Sequence, residues 1–302
     1  MPLKKSLTTL RYALEAALFF VAMGVFRLIG LQRASAAGGA IARTLGPLLP
    51  VTRRARRNLD LCFPDMPETE KRGIIREMYD NLGRTFGEYA HLDRFDIYLD
   101  APGHIAVERF DIVDDVAQQG KGGIFFSGHF ANWEVLPLSV SGRGLTGGEV
   151  YRAANNPYIN GWILKRRSAW IFPEQIPKGA GGARSMLSVL KRKQHICMLV
   201  DQKLNDGIAV PFFGHEAMTS SAAAQLALHF DCPLVPVGIV REAGPHFRIT
   251  VYPPLALPRS GDKAADVQAL TRQMNQWLEE RIRETPSQWL WLHNRWPPAA
   301  YQ

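Results

Sequence analysis

Beyond residue 60, short apolar runs alternate with stretches of helical periodicity, and this alternation limits the folds open to the chain. Short apolar runs between turn residues are typical of buried strands, whereas apolar side chains every three to four residues indicate amphipathic helices. Strands are predicted at 124–126, 149–152, 195–200, 234–240 and 246–252, and helices at 67–95, 131–140 and 262–284, with others beginning near 157 and 183. This order of elements predicts an α/β fold with a central sheet flanked by helices.

One strand end carries a candidate general base. The apolar run Ile124–Phe126 is broken by Ser127-Gly128, so His129 lies at the exit of the strand, where open α/β sheets hold their active sites. Glu134 follows five residues later and can reach the imidazole if it lies in the first turn of the next helix. A carboxylate that fixes one ring nitrogen leaves the other basic, so the pair is predicted to be catalytic. The alternative is a surface histidine or a core histidine with satisfied hydrogen bonds.

Other chemistries find less support in the sequence. Ser127 lacks the glycine two positions earlier that a nucleophile elbow requires. The string His215–Thr219 begins like a zinc-protease motif but has threonine in place of the second histidine, so no metal site is predicted. Cys62, Cys197 and Cys232 are odd in number and widely spaced, which indicates packing residues in a reducing compartment.

The positive charge is concentrated at the N-terminus. Residues 1–57 contain ten Lys or Arg and one acidic residue, Glu15, a net charge of +9 in a chain whose total is +8. The remaining 245 residues therefore carry −1, which gives no support for nucleic-acid binding by the main domain. We predict a membrane-anchoring basic segment at 1–57 and a catalytic domain at 58–302.

The same segment contains the longest apolar run, Ala16–Phe26, and three interpretations are open. A secretory signal peptide is disfavoured because Arg27 and Arg33 separate the run from the small residues at 34–36. A helix lying in one leaflet fits better, and a single span over 12–31 is the third possibility. The arginines of 53–57 then suit anionic lipid head groups on the cytoplasmic side, with a solvated helix face as the alternative.

The string His129–Glu134 resembles the first motif of the bacterial lipid A late acyltransferases, the lauroyl and myristoyl transferases of the lysophospholipid acyltransferase superfamily. The resemblance covers essentially the whole chain. Four further blocks occur in the same order as in this family: 56–59 with 62–64, 151–157 with 166–167, 201–202 with 210–219, and 286–296. The chain departs from the pattern after Asp201-Gln202, where many members have an acidic and an aromatic residue and this chain has Lys203–Asn205.

The resemblance implies a glycerol-3-phosphate-acyltransferase-like central sheet preceded by an N-terminal membrane-associating helix. It implies transfer of an acyl chain from acyl carrier protein, or from coenzyme A, to a hydroxyl of a lipid A precursor, without a cofactor. The implied location is the cytoplasmic face of the bacterial inner membrane, among its phospholipids. Alternatives are another lipid acceptor, such as a lysophospholipid or a phosphoinositide mannoside, a non-catalytic scaffold, and a hydrolase that uses the same base.

Further residues are predicted to bind substrate. Arg152 is a candidate donor to the oxyanion, together with backbone amides that follow His129. Arg166 and Arg167 suit phosphates of the acceptor or of phosphopantetheine, or else form the polar side of a helix. Asp201 and Gln202 end a buried strand, as His129 does, so we expect them to face the same cleft or to bond loop amides. Tryptophans 289, 291 and 296 are interpreted mainly as packing residues, with acyl-chain contact as the alternative.

Overall fold

The structure, a computed structural model, describes residues 2–98 and 103–301, and within these ranges it leaves the side chains of residues 2–7 and of Ala180 undescribed. The helices are α1 (Pro2–Ile29), α2 (Leu31–Leu45), α3 (Thr52–Cys62), α4 (Glu68–Glu88), α5 (Asp111–Gln118), α6 (Leu138–Ser141), α7 (Pro157–Trp170), α8 (Ala180–Lys191), α9 (Ala222–Phe230) and α10 (Lys263–Glu284). The strands are β1 (Ile105–Glu108), β2 (Gly123–Ser127), β3 (Gly147–Tyr151), β4 (Glu174–Pro177), β5 (His195–Leu199), β6 (Lys203–Phe212), β7 (His215–Thr219), β8 (Leu234–Ala243) and β9 (His246–Val251).

Seven of the described strands form one mostly parallel sheet in the order β1-β9-β8-β2-β5-β3-β4. Strands β8, β2, β5, β3 and β4 run parallel, while β9 is antiparallel to β8. Strands β6 and β7 form a separate antiparallel pair. The predicted α/β architecture with flanking helices is confirmed, and the closer likeness to glycerol-3-phosphate acyltransferases stays a prediction.

Strand β2 lies at the centre of the sheet and fixes the position of the site. All five of its residues are buried, as expected of a strand covered on both faces, and it pairs with β5 from Gly123↔His195 to Ser127↔Leu199. Helix α10 covers this region with the predicted apolar face, in which Leu270, Met274 and Leu278 are fully buried. The carboxyl ends of β2 and β5 are therefore neighbours in the core of the protein.

The predicted helix at 131–140 is wrong over its first seven residues. Ala131 has a positive φ of 43°, a short 3-10 turn covers Trp133–Val135, and regular helix begins only at Leu138. Left-handed backbone at a non-glycine residue ends regular structure, so the chain turns sharply after His129. Four strands were not predicted: β1, β4 and β7 have only four or five residues, and β6 begins with the mostly polar stretch Lys203–Gly207 before its apolar residues.

The N-terminal helices pack onto the rest of the protein. Helix α2 crosses α4 where Gly38 and Gly83 meet, and a Cβ on Gly83 would lie 2.1 Å from the carbonyl oxygen of Gly38. Beside this contact Ser35 donates to Glu88 over 2.7 Å, and Arg241 forms an ion pair with the same carboxylate. The predicted boundary at residue 57 falls inside α3. Among the described residues, one helical stretch, Thr8–Ile29, is long and apolar enough to cross a membrane.

Candidate active site

His129 lies at the carboxyl edge of the sheet, directly after β2, as the sequence predicts. Its loop is held by a segment that follows α10: Phe130 bridges to Trp289, and the amide of Leu290 donates to the carbonyl of His129 over 3.1 Å. Gly128 allows the close packing, because a Cβ there would lie 2.8 Å from the ring of Phe130 and 3.1 Å from a carboxylate oxygen of Asp201. The side chain of His129 is 13% exposed, so the imidazole is accessible but held.

Asp201 is the carboxylate that holds the imidazole. Its Oδ1 lies 2.7 Å from Nδ1 of His129, while its Oδ2 accepts from the backbone amide of His129 over 2.7 Å and from the indole of Trp289 over 2.8 Å. Burial raises the pKa of Asp201, but attraction to His129 and these hydrogen bonds outweigh burial and hold the pKa well below its usual range. An ionised carboxylate only accepts, so Nδ1 carries the proton and Nε2 keeps its lone pair.

The predicted hydrogen bond between Glu134 and His129 is wrong. Glu134 instead binds Arg167 through two hydrogen bonds, from Nε over 2.8 Å and from Nη2 over 2.6 Å, and accepts from the indole of Trp133 over 3.0 Å. The reason is the turn at Ala131: the short 3-10 segment that follows buries Glu134 beside α7 instead of placing it on the first turn of a helix. The sequence signal for the true partner was that Asp201 ends a buried strand next to β2.

Nε2 of His129 faces Gln202. The side-chain amide nitrogen of Gln202 lies 3.1 Å from this atom and 3.3 Å from Nε2 of His293, so it donates to both imidazoles. Burial, with the charge of His129 as the next cause, lowers the pKa of His293 to about 4, so this ring is neutral near pH 7. Asp201 and Gln202 thus meet His129, as the sequence predicts. His293 was missed as a site residue, although it lies in the tryptophan-rich block at 286–296.

The two adjacent arginines of α7 have different surroundings. Arg167 is mostly buried and uses Nε and Nη2 for Glu134, whereas Arg166 is half-buried and stacks 4.4 Å from the ring centre of Trp162. Glu149 lies buried beside the Glu134–Arg167 pair. Burial raises the pKa of Glu149 to about 7, with Arg167 lowering it and Glu134 raising it. Arg167 is therefore part of an internal charged cluster, which makes it a poor candidate for a substrate phosphate.

Arg152 follows β3 at the same sheet edge as His129 and is exposed. The next strand of the sheet, β4, ends beside it, and the amide of Lys178 donates to the carbonyl of Tyr151 over 2.8 Å. Neither Arg152 nor Lys178 has an ion-pair partner within the part of the chain that the structure describes. The carboxyl edge thus presents cations beside the histidine, as binding of an anionic substrate requires.

The tryptophans of the C-terminal block are packing residues, as predicted: Trp289 and Trp291 are fully buried and Trp296 is 1% exposed. A cavity of about 30 Å³ lies under Trp133 on the other side of the histidine loop, lined mainly by apolar residues of β2, β5 and the segment at 136–140. Its volume holds about one water molecule.

The fold and this site place an imidazole, hydrogen-bonded to a buried aspartate, at the carboxyl edge of an α/β sheet. A family model described as bacterial lipid A biosynthesis acyltransferase matches residues 1–297, and the chain belongs to that family. The protein is therefore an acyltransferase.

Its relatives act in lipid A biosynthesis. The chain is 27% identical over 258 residues to the lipid A biosynthesis lauroyltransferase of Escherichia coli strain K12, a match that covers 80% of this chain and 79% of the relative. It is 26% identical over 251 residues to the palmitoleoyltransferase of the same strain, covering 80% and 77%. A lipid A biosynthesis acyltransferase of Haemophilus influenzae is 25% identical over 250 residues, covering 80% and 76%. These relatives and the apolar N-terminal helix suggest membrane association.

Proposed function

We propose that this protein transfers a fatty acyl chain from acyl carrier protein to a hydroxyl of a lipid A precursor in a late acylation step. The reaction takes place at the cytoplasmic face of the inner membrane, among its phospholipids. One observation carries the mechanism: Asp201 fixes the proton on Nδ1 of His129, which leaves Nε2 basic at the carboxyl edge of the sheet. The family supports the reaction class, and the names of the relatives support the acceptor.

His129 then acts as the general base. Its Nε2 takes the proton of the acceptor hydroxyl as the oxygen attacks the thioester carbonyl, and a C–O bond forms. The tetrahedral intermediate collapses with loss of the C–S bond, and the proton on Nε2 passes to the departing thiolate. Asp201 stabilises the imidazolium between these steps. A thioester is already activated, so the reaction needs no acyl-enzyme.

Gln202 has to move during this cycle. Its amide lies where the acceptor hydroxyl must approach, 3.1 Å from Nε2 of His129, and His293 holds it there. We assign the displaced amide to the oxyanion, because it lies next to Nε2 of His129 and has two N–H groups to donate. The backbone amides expected for this role are engaged: Phe130 donates to Gly128 and Ala131 donates to Gln288.

The cations at the edge are assigned to the phosphates of the substrates. Arg166 remains a candidate, because it presents a guanidinium stacked on Trp162. Arg152, predicted as an oxyanion donor, is assigned to the phosphates instead, because it is exposed and unpaired in the described structure. Lys178 joins them from the end of β4. Glu134, which the sequence placed in the catalytic pair, is assigned to hold α7 against the histidine loop through Arg167.

The first test is a mass-spectrometric assay of the full chain in detergent. The substrates are dodecanoyl to hexadecanoyl acyl carrier proteins and a tetra-acylated lipid A precursor, with the matching coenzyme A thioesters in parallel. We expect a mass gain of one acyl chain that is lost in His129→Ala and retained in His229→Ala, a matched change at an exposed histidine on α9.

Two results would contradict the proposal. A mass gain that survives His129→Ala would show that His129 is not the general base. The absence of any mass gain with every donor would show that the lipid A precursor is not the acceptor. In the second case, lysophospholipid and phosphoinositide mannoside acceptors separate a different acyltransferase from a protein without turnover. Faster transfer from coenzyme A than from acyl carrier protein would overturn the proposed donor only.

A further inference from the structure

Helix α1 presents a continuous apolar stripe to solvent. Six large apolar side chains are between 49% and 87% exposed: Leu10, Leu14, Leu18, Val21, Val25 and Leu28. Their spacing of four, four, three, four and three residues places them within an arc of roughly 80° on an α-helix. A stripe of this length is far larger than the isolated apolar residues that a soluble surface tolerates.

The opposite side of α1 is attached to the protein along most of its length. Ala16, Met23 and Phe26 are buried, and Phe19 packs edge-to-face against Trp162 with ring centres 5.2 Å apart. These residues lie about half a turn from the exposed stripe. The helix therefore has one face for the protein and one face for something else.

Both ends of this contact are fixed by polar bonds. Near the start, the side-chain amide of Asn156 donates to the carbonyl of Tyr12 over 2.8 Å. Near the end, Arg27 forms two hydrogen bonds of 2.7 Å with Asp93. The docked stretch from residue 12 to residue 27 is about 22 Å long. A helix that crossed the bilayer along this stretch would carry the polar surface of the domain into a hydrocarbon layer about 30 Å thick.

We propose that α1 lies parallel to the membrane plane, with its apolar stripe immersed in one leaflet of an anionic phospholipid bilayer. The protein is then monotopic, although α1 is long and apolar enough to span. The exposed apolar stripe contacts the acyl chains of the lipids, and positive charge on the protein selects anionic phospholipids.

The neighbouring part of the N-terminal segment supplies that charge. Four exposed arginines follow the apolar Leu48 and Leu49, which are 78% and 50% exposed: Arg53, Arg54, Arg56 and Arg57. None of the four has an ion-pair partner among the residues the structure describes. A cleft of about 440 Å³ is lined by Leu48, Leu49, three of these arginines and Asp60, whose carboxylate is ion-paired with Lys71. The three arginines outweigh this one acid, so the cleft suits a phospholipid head group with its adjoining acyl carbons. The attachment is independent of the reaction, so it stands or falls separately from the proposed function.

Depth measurements along α1 test the orientation directly. Single cysteines at Leu10, Leu18, Val21 and Leu28 are labelled with a nitroxide in the full chain, and their immersion in phosphatidylethanolamine–phosphatidylglycerol vesicles is read from collisions with oxygen and a nickel chelate. The native cysteines Cys62, Cys197 and Cys232 are buried, so labelling is confined to the new sites. The replaced side chains are exposed, so folding is preserved.

We expect all four labels within about one helical turn, or 5 Å, of a common depth below the phosphates. A span gives a different pattern: the labels at 10 and 28, about 27 Å apart along the axis, lie near opposite surfaces and those at 18 and 21 are deepest. That pattern overturns the proposal. So do labels that all remain in water.

Vesicle flotation tests separately whether the four arginines bind anionic head groups. We expect replacement of the four arginines by serine to weaken binding to phosphatidylglycerol-containing vesicles at least about tenfold, and to leave binding to phosphatidylcholine vesicles unchanged. A matched control replaces four exposed cations outside the segment: Lys191, Lys193, Lys263 and Arg272. Equal losses from the two sets would overturn the assignment of the four arginines to anionic head groups.

Discussion

The histidine loop and the N-terminal helix place their side chains in opposite environments. Around His129, charged groups lie in the dry interior, and Asp201 is fully buried yet accepts three hydrogen bonds. Along α1, apolar side chains such as Leu28 lie in solvent with no protein partner among the described residues. A buried charge is stable when hydrogen bonds satisfy it. An exposed apolar stripe is stable when an apolar environment such as a membrane covers it. In the proposed function the first region performs the chemistry, and in the proposed membrane orientation the second region places that chemistry at the lipid surface.

The largest expected effect separates the two regions. His129→Ala should lower kcat by roughly 10² to 10⁴, the contribution of a positioned base, because it removes the imidazole that Asp201 orients to accept the hydroxyl proton. Vesicle binding should be unchanged. The measurement pairs the mass-spectrometric assay with flotation of the same preparation. A variant that lost both would show that the two regions are coupled.

The next comparison is between the two buried carboxylates. Asp201→Asn should lower kcat by about 10² or more, because an amide no longer fixes the Nδ1–H tautomer or stabilises the imidazolium. Glu134→Gln should instead destabilise the fold by about 3 kcal/mol or more, since it removes the direct partner of the buried Arg167. Urea unfolding and kcat per folded molecule distinguish the two. If folded Glu134→Gln lost as much kcat as Asp201→Asn, Glu134 would regain the role that the sequence gave it.

A smaller effect is expected from the apolar stripe. Leu14→Asn combined with Leu18→Asn should weaken vesicle binding by about 10²-fold, because each buried leucine contributes roughly 1.5 to 3 kcal/mol. Activity on detergent-dispersed substrates should not change. The exposed leucines at 187 and 204, changed in the same way, provide the control. Comparable losses from both pairs would show that α1 has no special part in attachment.

The smallest effect concerns stability and pH. Glu149 has a folded-state pKa of about 7, raised from 4.5 mainly by burial, so the folded protein holds its proton where the unfolded chain has lost it. The contribution of Glu149 to stability is therefore fully present below its unfolded pKa and is lost as pH rises towards about 7. Between about pH 5 and pH 8 this loss amounts to roughly 2 to 3 kcal/mol.

Glu149→Gln should remove that pH dependence, so the stability of the variant relative to the wild type should increase as pH rises. Urea midpoints at the two pH values measure the difference, and Glu174→Gln, at an exposed strand end, is the control. A constant gap between variant and wild type would mean that Glu149 is ionised throughout this range.

The sequence predicted the position of the site better than the hydrogen bonds within it. Buried strands are recognisable from apolar runs, and their ends placed His129, Asp201 and Gln202 at one edge. The sequence nevertheless favoured Glu134 over Asp201 as the partner of His129, because the left-handed turn at Ala131, which redirects Glu134, has no local sequence signature. His293 was missed for a related reason. It reaches the site only because the segment after α10 folds back and bridges the histidine loop, a contact between residues far apart in the chain.

That bridge also sets an order of events during synthesis. Ribosomes deliver the N-terminus first, so α1 is available to the bilayer while most of the sheet has not been made. Trp289 and Leu290, which hold Asp201 and the His129 carbonyl, emerge among the last residues of the described chain. With α1 inserted as proposed, the nascent chain reaches the membrane before the His129 loop has its final geometry, so the proposed activity arises only after membrane attachment.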